Sequence, residues 1–533
     1  MSLTEGRRPY FLLILLCLAL YLPGLTALPP IDRDEMRFSQ ASKQMIESGD
    51  YVRIEFQNES RAKKPAGIYW LQAAAAKLTG HPEALWSYRL PSLLAAMAAV
   101  LMTFGFGSRL TDRKSALFAA GLLASCFLLV WEAHQAKTDA TQLATVVAAQ
   151  GALGLFYVRR DGRPGWGPAM IFWLAQALGI LIKGPVVPMI SLLTIGTLCI
   201  ADRSAAWLKG LRPLPGLILV AVIVAPWVWA ISHATQGQFI GTAVKTDLLP
   251  KLLGSQESHG GKPGTYLLLA LATFWPASLL VVPALPGAWK RRREAATRFL
   301  LAWIVPNWLM FEAIPTKLPH YILPVYPALA LLAGLWLSGA AERKGWHKIL
   351  ALLWGLIGTV MAAAPVAAPH FLKMAPMWEL APLSALMLVA GWAPAVALWR
   401  GRMKQAAGLA MAAGVIGFAG LITITMPRLT PLWVSSRIAA AVPAGAPLTA
   451  AGFHEPSLVF LHGTETLLTD GGAAAGFLLA TPDAWAAIDA SAEGDFTAKL
   501  AETGRAGEKE GQVDGLNYSN GRPIHITLWK LQP

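Results

Sequence analysis

The sequence predicts a polytopic α-helical membrane protein, with interfacial helices on its outer side and a small α/β domain at its C-terminal end. Three observations carry this. Of the 533 residues, 55% are hydrophobic and only 14% are charged, where a soluble chain would carry about 25% charged residues. Apolar runs of about 20 residues, the length that crosses a bilayer as a helix, recur along most of the chain. Basic residues gather in alternate short connections between those runs. The net charge of +14 belongs to these connections, because no basic stripe with interleaved aromatics marks a nucleic-acid surface.

Thirteen spans are expected, at 10–28, 87–107, 115–132, 140–158, 166–182, 185–201, 213–232, 265–285, 297–313, 319–338, 348–368, 377–398 and 406–426. The first follows EGRRPY and has no small-residue cleavage motif at its outer end, so it reads as a retained helix. With the N-terminus inside, every inside connection holds at least two basic residues. These include Arg7 and Arg8, Arg159 with Arg160 and Arg163, Lys290 to Arg293, and Arg343 with Lys344 and Lys348. An odd number of spans leaves the C-terminal segment outside. The expected division is a transmembrane domain over 1–429, with its first outer loop at 29–86, and an outer soluble α/β domain over 430–533. Cys17, Cys126 and Cys199 lie in apolar runs with neither metal nor disulfide spacing.

The outer connections differ in kind, since acids, His and Lys occur there together. The longest early one, Leu28 to Trp70, follows the first span. Within it, Glu35 to Ser48 has an amphipathic cadence that predicts an interfacial helix ending at Gly49. Ala66 to Leu78 predicts a second surface helix, with Pro65 in its first turn. In the tail, 446–453, 457–463, 466–470, 476–482 and 525–531 read as strands, and 481–500 as helical turns.

Asp34 and Glu35 stand at the outer end of the first span. They suit base or electrostatic work in group transfer, and equally suit charge at the start of the surface helix. Arg37, Arg61 and Lys64 suit a lipid-linked phosphate at headgroup depth, or plain interfacial snorkelling. Asp139, in KTDATQL, either orients the cations of a site or begins a helix. Lys183-Gly184-Pro185 is a tight turn between two spans, which does not explain why residue 183 is Lys. Lys317, His320 and Tyr321 open a span among prolines 315, 319, 324 and 327, which should distort the helix and expose carbonyls. They serve a site, or anchor the interface. A lone histidine such as His320 or His259 is more often structural than a metal ligand, so no metal is assigned. No nucleophile elbow, Walker loop or nucleotide-binding glycine pattern occurs.

With DRDEMRFSQASKQMIESGDYVR, KKPAGIYWLQA, WSYRLPSLLAA, KTDATQLA, LIKGPVVP and PTKLPHYILPVYPALALL in order over about 30–330, the chain resembles bacterial membrane glycosyltransferases of the GT-C type. It resembles in particular the aminoarabinose lipid A transferases and their dolichyl-phosphate-mannose mannosyltransferase-like relatives. The resemblance implies an outer catalytic cavity beneath a small soluble domain, in a bacterial inner membrane protein with a cytoplasmic N-terminus and a periplasmic C-terminus. It implies a polyprenyl-phosphate sugar donor, a lipid A-like or glycan acceptor, no required cofactor and no nucleic-acid partner. By motif match, Asp34 is the first-loop catalytic acid, with Glu35 beside it, and Asp139 is the second-loop acid. Arg37, Arg61, Lys64, Tyr69, Lys183, Lys317, His320 and Tyr321 fall on the substrate side. Lys63 stands where the aminoarabinose enzymes commonly carry a glutamate associated with a structural metal. A protein O-glycosyltransferase of the same fold, a glycolipid flippase and a glycolipid-binding assembly protein remain the alternatives. The flippase would carry polar midplane residues and an inverted repeat, and the mid-span positions are nearly all apolar.

Overall fold

The computed structural model describes residues 4–159, 165–243, 245, 261–339 and 347–532. His259, Arg160, Arg163, Arg343 and Lys344 lie outside the described residues. In chain order the first ten helices are α1 (Arg8–Tyr21), α2 (Asp34–Ser48), α3 (Gly67–Thr79), α4 (Leu85–Leu110), α5 (Arg113–Ala124), α6 (Phe127–Ala133), α7 (Asp139–Val158), α8 (Trp166–Lys183), α9 (Val186–Asp202) and α10 (Pro213–Ala234). Apolar helices continue through Ala295–Ala313, Tyr326–Ser338, His347–Phe371, Ala381–Trp399 and Met403–Ala419. Among the described residues, 8 helices are long and apolar enough to cross a membrane, and the bent pair α5–α6 makes up to 9. α1 and α9, at 14 and 17 residues, are shorter apolar helices on two further predicted spans.

Two predicted spans are broken. The one at 115–132 is α5 and α6, bent by 61°. The one at 265–285 is Thr265–Thr273 followed by Ser278–Lys290. The breaks satisfy each other: the Phe127 amide donates to the Trp275 carbonyl at 2.8 Å. Irregular backbone at membrane depth needs such a partner. The span at 319–338 opens as a 3-10 turn, Pro319–Val325, because its prolines withhold amide donors. The carbonyls this leaves are used, with Tyr266 Oη donating to Leu318 O and Trp303 Nε1 donating to Pro324 O.

α2 lies where its amphipathic pattern put it and ends at Gly49, whose φ of 72° is the left-handed cap glycine tolerates. α3 starts at Gly67, so Pro65 precedes the cap residue Ala66 and is not in the first turn. Gly67 is required there, since a Cβ would lie 2.8 Å from the Leu181 carbonyl. That close approach brings the start of α3 against the last turn of α8. Arg89 of α4 then fastens the loop before α2. It donates to both carboxylate oxygens of Glu35, at 2.8 and 2.9 Å, and to the carbonyls of Leu25, Leu28 and Pro29.

Two short antiparallel strands, β1 (Glu55–Phe56) and β2 (Glu59–Ser60), pair in the first outer loop, and the tail forms a five-stranded sheet of order β4-β3-β5-β7-β6, from β3 (Leu448–Ala451), β4 (Leu467–Thr469), β5 (Trp485–Asp489), β6 (Gly507–Asn517) and β7 (Arg522–Leu531). The β3–β4 and β3–β5 pairs are parallel, and β5–β7 and β6–β7 are antiparallel. Two predicted strands are helices. Residues 457–463 fall in Pro456–His462, opened by a first-turn proline, and 476–482 overlap Gly471–Ala480, capped by Asp470. Short apolar runs buried on a sheet look alike in either state. The 481–500 stretch, expected to contain one or two helical turns, does so from Glu493 in the helix Glu493–Glu502, and β5 occupies its first part. The tail packs on the first outer loop. Asp32 accepts from Ser457 N and Oγ at 2.9 and 2.7 Å, and Gln57 Nε2 donates to the carbonyls of Thr464 and Thr466.

Candidate active site

The ends of α2, α3, α7, α8 and the 3-10 turn meet around a cavity of about 700 Å³. One part of its wall is charged: Asp34, Arg37, Arg61, Lys63, Lys64, Lys137, Asp139, Lys183 and His320 line it. Another part is apolar, built from Met189 of α9 and Val224, Trp227 and Val228 of α10. A cationic end joined to an apolar wall matches a molecule with a phosphate at one end and a hydrocarbon chain at the other.

Asp34 is the first residue of α2 and is exposed on the cavity wall. Burial of the surroundings pushes its carboxyl up, but Lys137, Arg61, His320 and Arg37 outweigh this, and it sits below the usual carboxylate range. Arg61 is held by two contacts. Its Nε donates to Tyr69 Oη at 3.3 Å, and its guanidinium lies 5.1 Å from the Phe38 ring centre. Tyr69 is fully buried and supports Arg61 from behind. Lys64 Nζ donates to the Lys63 carbonyl at 3.1 Å. Asp139 begins α7 and accepts from Lys183 Nζ at 2.5 Å, with His320 Nε2 at 3.7 Å. The Lys183 ammonium stands 5.6 Å from the Tyr321 ring centre.

The structure thus brings Asp34, Arg37, Arg61, Lys64, Asp139, Lys183, His320 and Tyr321 onto one cavity. It places three other candidates off the cavity lining: Tyr69, which backs Arg61, and Glu35 and Lys317. Glu35 is buried, and both its oxygens are taken by Arg89 and by the amides of Ile31 and Ala136. It holds the loop in shape. Lys317 Nζ donates to the carbonyls of Phe311, Glu312 and Ile314, so it closes the end of the preceding helix. Burial pushes its ammonium below the usual lysine range against the pull of Glu312.

Sequence reasoning placed Glu132 and Lys137 among the outer charges but gave neither a role, and it passed over the apolar wall of α10. Lys137 carried the same signal as Lys183, a cation at the edge of an apolar run. Glu132 Oε1 accepts from Lys137 Nζ at 3.1 Å. Glu132, Asp139 and His320 each place a ligand atom within 4.8 Å of the others, a spacing that suits a cation. Lys137 already bonds Glu132 and Lys183 already bonds Asp139, so ammonium groups occupy that role. At position 63 a lysine cannot ligate a metal as the glutamate of the resembled enzymes would.

The family described as dolichyl-phosphate-mannose-protein mannosyltransferase matches residues 63–229. An undecaprenyl phosphate-alpha-4-amino-4-deoxy-L-arabinose arabinosyl transferase of Pseudomonas aeruginosa is 28% identical over 412 residues, 74% of this chain and 72% of that one. The enzyme of the same description from Pectobacterium carotovorum is 26% identical over 372 residues, 67% of this chain and 65% of that one. ArnT from Cupriavidus metallidurans, solved bound to undecaprenyl phosphate, superposes with a TM-score of 0.77 at 18% identity, covering 98% of both chains. The Archaeoglobus fulgidus oligosaccharyltransferase superposes at 0.52 with 10% identity, covering 94% of this chain and 69% of that one. The fold and the sequence matches agree: the chain is a multi-pass membrane protein with the GT-C fold, similar to the ArnT glycosyltransferases.

Proposed function

We propose that the chain takes a sugar from a polyprenyl phosphate at the periplasmic face of a bacterial inner membrane and gives it to a lipid A-like or glycan acceptor. The supporting observation is a cavity whose lining joins a cluster of cations to apolar residues of α9 and α10. The arabinosyl transferases it resembles are described as using undecaprenyl phosphate, and ArnT was solved with that lipid. In this reading the N-terminus is cytoplasmic and the 430–533 domain is periplasmic, as the basic connections ask.

The chemistry follows from charge. The donor is a phosphodiester with one negative charge, and its departure leaves a phosphomonoester that carries a second. Lys64, Lys183 and Arg61 stabilise that developing charge. Asp34 faces the acceptor. It takes the proton of an acceptor hydroxyl, or steadies positive charge at the sugar carbon when the acceptor is already an ionised phosphate. Asp139 holds Lys183 in place. Every step uses residues of this chain, and no nucleotide sugar enters.

The test is transfer by purified protein in detergent, from radiolabelled polyprenyl-phosphate sugars to total membrane lipid. Wild type should label a lipid, and Asp34→Asn should not while still binding donor. Equal transfer by both overturns the role of Asp34. In liposomes, movement of lipid between leaflets without transfer overturns the enzyme reading.

A further inference from the structure

Lys137 opens the KTDATQLA motif and lines the cavity, yet neither the motif match nor the comparisons give it a role. It sits in the connection between α6 and α7, two residues before Asp139, and its side chain is 12% exposed. Glu132, at 2% exposure, grips it from behind through Oε1. Lys137 lines the cavity together with Asp34 on α2 and Asp139 on α7, and the charge of both acids acts on it. Burial would strip its proton, but Glu132, Asp139 and Asp34 outweigh that and hold the ammonium above the usual lysine range.

This is an odd place for a structural lysine. A buried pair of this kind is weak evidence for stability, because desolvation offsets most of its Coulomb gain. Lysine carries three donors; among the described residues, Glu132 is the hydrogen-bond acceptor shown for this one. The other Glu132 oxygen is buried without a hydrogen-bond partner. The pair is incompletely satisfied at the point where the cavity needs positive charge.

We propose that Lys137 is a further phosphate-contacting residue of the transfer reaction, and that Glu132 is the positioning residue that aims it. This rests on the polyprenyl-phosphate reading above. The bond from sugar carbon to phosphate oxygen breaks, and the bond from sugar carbon to acceptor oxygen forms. The electron pair stays on the leaving phosphate, and Lys137 remains protonated while its N–H groups bond that oxygen. A hydroxyl acceptor's proton goes to Asp34. Lys137 therefore acts on charge, and its contribution grows as the second phosphate charge appears.

The experiment measures binding of undecaprenyl phosphate and of undecaprenol to the purified full chain in nanodiscs. Wild type should prefer the phosphate. Lys137→Met should lower phosphate affinity by about 10- to 100-fold, the worth of a charge-assisted hydrogen bond, and leave the alcohol unchanged. Lys137→Arg should recover most of the preference. Glu132→Gln should lower it by less, and adding Glu132→Gln to Lys137→Met should change nothing further. Should Lys137→Met not fold, Glu132→Met/Lys137→Met removes both charges together and carries the same comparison. An unchanged phosphate preference in the Lys137 variant overturns the inference, as does equal loss for both lipids, which marks a structural role. Wild type that shows no preference for the phosphate overturns the donor reading itself.

Discussion

Arg89→Met should unfold the site without touching the cavity. Arg89 is 1% exposed and Glu35 is fully buried as a side chain. The substitution removes two bonds to the Glu35 carboxylate and three to the carbonyls of Leu25, Leu28 and Pro29. Glu35 is then left as a buried carboxylate with only the amides of Ile31 and Ala136. Breaking a buried pair from one side costs about 3–5 kcal/mol. Replacing both partners costs less, because no uncompensated charge remains. The assay is thermal unfolding of purified protein, with transfer measured per folded molecule. Arg89→Met should lower Tm by about 5 °C or more, and Arg89→Met/Glu35→Met by less than Arg89→Met. An unchanged Tm in Arg89→Met would refute the anchoring role of the pair. A Glu35→Gln protein of wild-type Tm that no longer transfers sugar would return Glu35 to the chemistry.

Three further outcomes follow from particular contacts. Asp34 has its carboxyl held below the usual range, with Lys137, Arg61, His320 and Arg37 overcoming burial. It stays ionised as pH falls through 7 to 5, so the transfer rate should show no loss there on its account. A limb near pH 6 that Asp34→Asn abolishes would contradict this. Asp32 is the opposite case. Burial first, and then Glu455, push it up to about 7 against the Ser457 bonds. A carboxyl raised on folding stabilises most below its ordinary value of 3.8, and that stability is lost as pH rises toward 7. Hydrogen exchange in Pro456–His462 should quicken over that interval, and Asp32→Asn should flatten the response. Gly334→Ala would put a Cβ 2.1 Å from the Ser115 carbonyl. The overpacking should cost about 1–3 kcal/mol in thermal unfolding.

Much of the membrane part was legible because each predicted span needed only a sustained apolar run, and bilayer length sets that run's scale. What the run cannot reveal is a break inside it. Ser125-Cys126 and Trp275-Pro276 look apolar enough to continue, and the Phe127 to Trp275 hydrogen bond that makes both breaks tolerable joins residues far apart in the chain. The tail was harder to read for the reverse reason. SLVFLHG and GFLLATP are too short to show a period, and each lies in a helix opened from outside it, the first by Pro456 directly ahead and the second by the Asp470 cap further upstream.

The site residues were legible because of where helices end. Asp34 and Asp139 open α2 and α7, and Lys183 closes α8. Each therefore has the charge that the helix dipole favours at its position, so sequence alone could not separate site from cap. Convergence separates them. Lys317 also stands at a helix end, yet its three hydrogen bonds go to carbonyls of the helix it closes. Lys183 instead crosses from α8 to an acid on α7, and Gly67 lets α3 approach close enough to set Lys64 on the same cavity. A charge that completes its own helix is a cap. A charge that leaves its helix to meet the end of another, as Lys183 does, is not accounted for by capping, and it belongs to the site proposed for the lipid phosphate.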